Sequence, residues 1–220
     1  MLEQALGSPN QFFFDTEYLK VSKGGNVSLD FISIGIVPQY RGMPEFYAIS
    51  TDFDPSIVPE GNFVEGIVMP RLELPPEDRA RLWNKEIYMP HKSIGPAIAK
   101  YLGTYNEATM WAYKDSKDRD MMELLFDGTD PSVALEHIYG CKETLFADLE
   151  TFIRWSGAKE IPERSEVFKH NGLWDARWHR DIFWHLKNNY LPKPSLTSAM
   201  EQARGQMALV TEQPSLQPEM

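Results

Sequence analysis

The stretch 11–20, QFFFDTEYLK, decides how the chain is read. Phe12, Phe13 and Phe14 in succession predict a buried strand over 11–15, which runs straight into Asp15 and, one residue on, Glu17. Side chains alternate along a strand, so the two carboxylates share one face while Thr16 points to the other. Two acids side by side repel each other. A divalent cation relieves that repulsion, and hard oxygen ligands this close together suit Mg²⁺ or Mn²⁺. Taken alone, the pair is explained more simply as two solvated acids in a turn after the strand, so other acids have to shift the balance.

Outward from this strand, VSLDFISIGIV (27–37) predicts a second strand, rich enough in branched apolar residues to be buried on both faces. PQYRGMP is a turn, and EFYAIST (45–51) a third strand. Short links make these three an antiparallel meander. Residues 52–91 are rich in proline and charge, with a short helix near PEDRARLWNKEI. The spacing of apolar residues predicts a helix over 93–103, a strand over 108–114, and helices over 116–126, 142–157 and 173–190. The result is a mixed α/β layer fold over 11–192, one sheet covered by helices. Residues 1–10 read as a loose lead-in and 193–220 as a disordered tail of Gln, Pro, Ser and Glu.

Composition bounds the function. At 220 residues, 42% hydrophobic and 25% charged, the chain fits one ordinary globular domain. Its one cysteine, Cys141, excludes an internal disulfide and fits a reducing interior. No membrane span or signal peptide is visible, which predicts a cytoplasmic protein. A net charge of −10 argues against nucleic-acid binding by bulk charge, but a bound metal reverses the sign of a local site.

Further acids then accumulate. WAYKDSKDRD places Asp115, Asp118 and Asp120 just after the fourth strand, where α/β sheets commonly hold ligands. HNGLWDARW places His170 before the last helix and Asp175 inside it, between Leu173, Trp174, Ala176 and Trp178. A carboxylate in that setting needs a partner such as a metal. Asp118 as a helix N-terminal acid and His170 as a loop histidine are the plain alternatives, each simpler one by one. Together at strand ends and a helix, these residues point to a metal site. His179, one turn beyond Asp175, reads as structural, and Trp178 and Trp184 as core or a subunit contact.

The series FFFDTEYL, SLDFISIGIV, FYAISTDFD, MWAYKDSKDRDMM and HNGLWDARW resembles the DEDD superfamily of 3′–5′ exonucleases, which have a ribonuclease H-like fold. A histidine five residues before the last aspartate marks the histidine subgroup, DEDDh, and His170 and Asp175 have that spacing. The tyrosine subgroup needs Tyr at 171, where this chain has Asn. The resemblance covers about 12–190 and is nearest to small bacterial, mycobacterial and phage exoribonucleases, with FVEGIVMPRL (63–72) similar to their linker. It implies that Asp15, Glu17, Asp118 and Asp175 ligate two Mg²⁺ or Mn²⁺ ions, with Asp120 or Asp115 as substitutes for Asp118. The aromatic that precedes the third aspartate in these relatives is Lys117 here.

It further implies that His170 is the general base, that Glu17 orients the attacking water or binds the first ion, and that Thr16 and Tyr18 meet the terminal nucleotide. The reaction is then two-metal hydrolysis of single-stranded RNA from its 3′ end to 5′-mononucleotides. A homodimer comes with the same resemblance, and a compact, cysteine-poor chain suits a bacterium or its phage. The alternatives are a DNA exonuclease of proofreading or repair type, a phosphoesterase acting on small nucleotides, and a non-catalytic binding module of the same fold.

Overall fold

The computed structural model describes residues 2–23, 26–105, 107–114, 116–141 and 143–191. Asp115 and the tail 193–220 lie outside the described residues. The chain runs α1 (Leu2–Gly7), β1 (Gln11–Lys23), β2 (Asn26–Pro38), β3 (Phe46–Ser50), a short α2 (Pro76–Arg79), β4 (Tyr88–Met89) and α3 (His91–Leu102). It continues with β5 (Ala108–Ala112), α4 (Ser116–Leu125), α5 (Pro131–Val133), β6 (Thr144–Asp148), α6 (Leu149–Ser156) and α7 (Gly172–Asn189).

The six strands form one sheet in the order β4-β3-β2-β1-β5-β6. β1, β2 and β3 are the expected antiparallel meander, while β5 and β6 join parallel on one side and β4 on the other. Alternation along β1 sets the layers. Phe12 and Phe14 face Ile94 and Ile98 of α3 and Met121, Met122 and Leu125 of α4. Phe13 faces the other way, against Trp111, Phe152 of α6, and Leu173 and Phe183 of α7. The three phenylalanines are at most 1% exposed, so each contributes about 1.5–3 kcal/mol of burial. The sheet is therefore sandwiched between helices, as the α/β reading requires.

Three local expectations change. Residues 2–7 are helical rather than a loose lead-in, held down by buried Ala5 and by Gln11, whose Nε2 donates to the Ala5 carbonyl at 2.9 Å. The helix expected over 142–157 is a strand, β6, followed at once by α6. Asp148 makes the break: its carboxylate accepts from the backbone N–H groups of Glu150 (3.1 Å) and Thr151 (2.8 Å), capping α6. The first strand extends to Lys23 rather than ending at Asp15, so the acidic pair sits inside a strand and not in a turn after it.

α7 is locked to the meander by buried charge. Arg177 Nε lies 3.1 Å from both oxygens of Glu45, and its Nη1 donates to Asp78 at 2.9 Å. All three residues are buried. Arg177→Ala would strand Asp78 in the interior and leave Glu45 only Arg180, at 3.5 Å, and we expect it to cost about 3–5 kcal/mol. Urea denaturation measures this, and a loss below about 1 kcal/mol would show that water supports these acids.

Candidate active site

β1 and β5 pair only through Phe13 and Trp111, after which β1 continues alone on that side. The Thr16 N–H that β5 leaves unpaired is bonded instead by Asp118 of α4. Its Oδ1 accepts from Thr16 N at 2.9 Å and from Thr16 Oγ1 at 2.6 Å. Thr16 thus faces away from Asp15 and Glu17, and its hydroxyl fixes Asp118. Asp120, the substitute for Asp118, is exposed and paired with Lys117 at 2.8 Å.

The other wall is α7. A side chain at Gly35 of β2 would meet Leu173 Cα and N at 2.3 Å, and one at Gly172 would lie 2.9 Å from the Asp15 carbonyl oxygen. Two glycines therefore let the helix N-terminus rest directly on the backbone of β1 and β2, opposite Asp15, which pairs with Gly35. Asn171 caps the helix, accepting from Leu173 N (3.0 Å) and Trp174 N (3.3 Å). The turn before it holds His170 at φ 65°, the left-handed region that a non-glycine residue occupies only when its surroundings impose it. The edge of Phe63 packs on the His170 ring, with centroids 4.6 Å apart.

These elements enclose a cleft of about 660 Å³ whose lining includes Asp15, Glu17, Tyr18, Asp118, His170 and Asp175. Every one of the four expected carboxylates and the expected histidine reaches it. One ligand atom from each of Glu17, His170 and Asp175 lies within 4.8 Å of the others. Glu17, Asp118 and Asp175 are buried, and Asp15 nearly so. Burial pushes the Glu17 carboxyl up to about 8, the nearby Arg164 charge opposing and Asp118 adding to it. Burial, then Asp118 and Glu17, hold Asp15 well above the usual carboxylate range. A set of oxygen donors that resists ionisation because it is buried and crowded with other acids, even beside Arg164, fits divalent cations.

The histidines are held neutral. Burial, then the charges of Arg164, Lys169 and Arg71, bring His170 down to about 4. Burial brings His179 down to about 3. His179 supports β1: its Nδ1 lies 3.0 Å from the Phe14 carbonyl, which needs the proton on that nitrogen, and its Nε2 lies 3.8 Å from Asp15. Trp178 donates from its indole to the Pro162 carbonyl at 2.9 Å, and Trp184 to Gln39 at 2.8 Å, so both serve packing between α7 and its neighbours.

One residue of the site carried no signal in the sequence. Arg164 reaches in from the irregular segment before α7 and grips Asp175 with two nitrogens, Nε to Oδ1 at 2.6 Å and Nη2 to Oδ2. The His170 N–H also donates to Asp175 Oδ2 at 2.9 Å. Gly35 did leave a trace, because a glycine inside an apolar strand marks close backbone approach.

No protein-family model matches the chain, and no curated protein matches it at a significant level. Among solved structures it is similar to E. coli exonuclease I in its zinc-ion-bound complex with single-stranded DNA: TM-score 0.54, 12% identity, 93% of this chain and 45% of that one. It is also similar to the moderately thermophilic exonuclease I from Methylocaldum szegediense, with TM-score 0.51, 12% identity, and 95% and 46% coverage. E. coli exonuclease I with a 5cy-dA13 oligonucleotide gives TM-score 0.51, 14% identity, and 92% and 45% coverage. The chain has the ribonuclease H-like fold of these nucleases and spans less than half their length. Among the described residues no helix is long and apolar enough to cross a membrane.

Proposed function

We propose that the chain is a metal-dependent 3′–5′ exonuclease of the DEDD type and its histidine subgroup, acting on single-stranded RNA. The observation that carries this reading is the convergence of Asp15, Glu17, Asp118, Asp175 and His170 on one cleft from β1, α4, α7 and the turn before it. Asp15, Glu17, Asp118 and Asp175 would hold two Mg²⁺ or Mn²⁺ ions. When bound, such ions stabilise charge on the phosphate and lower the pKa of a coordinated water.

The remaining work falls to the chain's own groups. His170, neutral at pH 7, accepts the proton of the attacking water, and its strained turn and the Phe63 edge fix the ring. Thr16 lines the same cleft and holds Asp118 in place through its hydroxyl, next to where a terminal nucleotide would lie. Tyr18, Phe63 and Tyr113 line the same cleft and offer flat faces to a terminal base, the sequence-tolerant mode of single-strand binding. RNA is preferred on the resemblance to small exoribonucleases. Single-stranded DNA is the second reading, favoured by the DNA complexes of the similar E. coli nuclease.

The test is a gel assay on 5′-labelled RNA and DNA of one sequence, with Mg²⁺, Mn²⁺ or EDTA. We expect a metal-dependent ladder shortening from the 3′ end, reduced at least about 100-fold in His170→Ala and lost in Asp15→Ala. The faster polymer names the substrate. Folded protein that yields no ladder on either polymer in either metal would leave a non-catalytic binding module.

A further inference from the structure

Asp175 is asked to serve two cations. Both of its oxygens are engaged by the Arg164 guanidinium, yet the proposed nuclease needs the same carboxylate, 2% exposed, as a metal ligand. A guanidinium fork and a divalent ion cannot share one buried carboxylate without strong repulsion in a site of low dielectric. On the exonuclease reading, we infer that Arg164 is a displaceable internal counter-ion: it neutralises the acidic cleft until a divalent cation takes Asp175, and then swings away.

The surroundings give the guanidinium somewhere to go. Arg164 stands over the Trp178 ring, 5.3 Å from its centroid, and arginine slides over aromatic faces at little cost. With Asp175 and Trp178, it forms the partition between the catalytic cleft and a second cleft of about 350 Å³ on the far side. That second cleft is lined by Arg41, Arg81, Arg177 and Arg180, and its Asp181 is already paired with Arg41 at 2.8 Å, so Glu163, the residue before Arg164, is the acid there with no ion pair among the described residues. Arg164 is carried by residues 158–171, which contain no helix or strand, so its movement breaks no regular hydrogen-bond ladder. The device supplies positive charge to a cluster of buried acids in the metal-free protein. It also sets a threshold, because the ion has to outbid an arginine already in place.

The experiment follows the Arg164 Nε–H NMR cross-peak in the full chain, assigned by its loss in Arg164→Gln, during a titration with Mg²⁺. Calorimetry with Mg²⁺ and Mn²⁺ on the wild type, Arg164→Gln and Arg164→Lys runs beside it. The salt-bridged cross-peak should be sharp without metal and should shift or exchange away as Mg²⁺ saturates. Arg164→Gln should bind metal at least about tenfold tighter. Arg164→Lys keeps the charge without the fork and should fall between. Metal binding with the cross-peak unmoved overturns the counter-ion role alone. No metal binding by any of the three proteins overturns the exonuclease reading, and the counter-ion role with it.

Discussion

Gly35→Ala should detach α7 from the sheet and abolish activity, although residue 35 bears no functional group. A Cβ there would lie 2.3 Å from two backbone atoms of Leu173, and backbone cannot turn aside as a side chain can. Overpacking in a core usually costs about 1–3 kcal/mol. Here the whole N-terminal turn of α7 would have to lift, so we expect at least about 3 kcal/mol. The same displacement would carry Asp175 and His170 away from Asp15 and Glu17, so activity should fall further than stability alone explains. Gly7→Ala is the control, because a Cβ at Gly7 meets nothing within 4 Å. Urea midpoints and the 3′-end assay on both variants test this. A Gly35→Ala protein as stable and active as the control would mean that the helix is not seated on this backbone.

The second large effect is the pH response of the metal-free protein. Glu17 rises from an ordinary 4.5 to about 8 in the folded chain, so between those values the unfolded chain gives up its proton while the folded one keeps it. Folding stability therefore falls as pH rises through that window and levels off above about 8. Asp15 shifts in the same direction. The histidines act oppositely: His170 and His179 titrate near 4 and 3 when folded and 6.5 when unfolded, so they add stability as pH rises to 6.5.

The two trends oppose each other in acid, and the fall should stand alone between pH 6.5 and 8. At about 1.4 kcal/mol per pKa unit, Glu17 alone makes this a loss of up to about 2 kcal/mol across that interval. Thermal melts in EDTA should show Tm dropping from pH 6.5 to 8, and millimolar Mg²⁺ should remove the drop by binding the ionised acids. Melts flat in pH with EDTA would show that these carboxylates are already ionised without metal.

What was legible follows from which signals are local. Alternation along QFFFDTEYL put Asp15 and Glu17 on one face, and the structure agrees, with Phe13 on their side and Phe12 and Phe14 on the other. The five-residue spacing of His170 and Asp175 spans a single turn into α7, which brings the His170 N–H to within 2.9 Å of the Asp175 carboxylate. β6 was not legible because TLFAD and the helix after it share one continuous apolar rhythm. Only Asp148, an N-cap inside that run, marked the junction. Arg164 was not legible because an arginine in an irregular segment has no periodicity to betray what it touches. Its partner Asp175 is known only once α7 has docked.

That docking also has a consequence in time. Asp15 and Glu17 precede Asp175 by about 160 residues, so they leave the ribosome well before it. A nascent chain with β1 through β6 but not α7 shows a bare apolar sheet face and half a catalytic centre, with neither His170 nor Asp175. On the proposed reading, the candidate site cannot assemble before α7 is made, because the element that brings Asp175 to the cleft also closes the core.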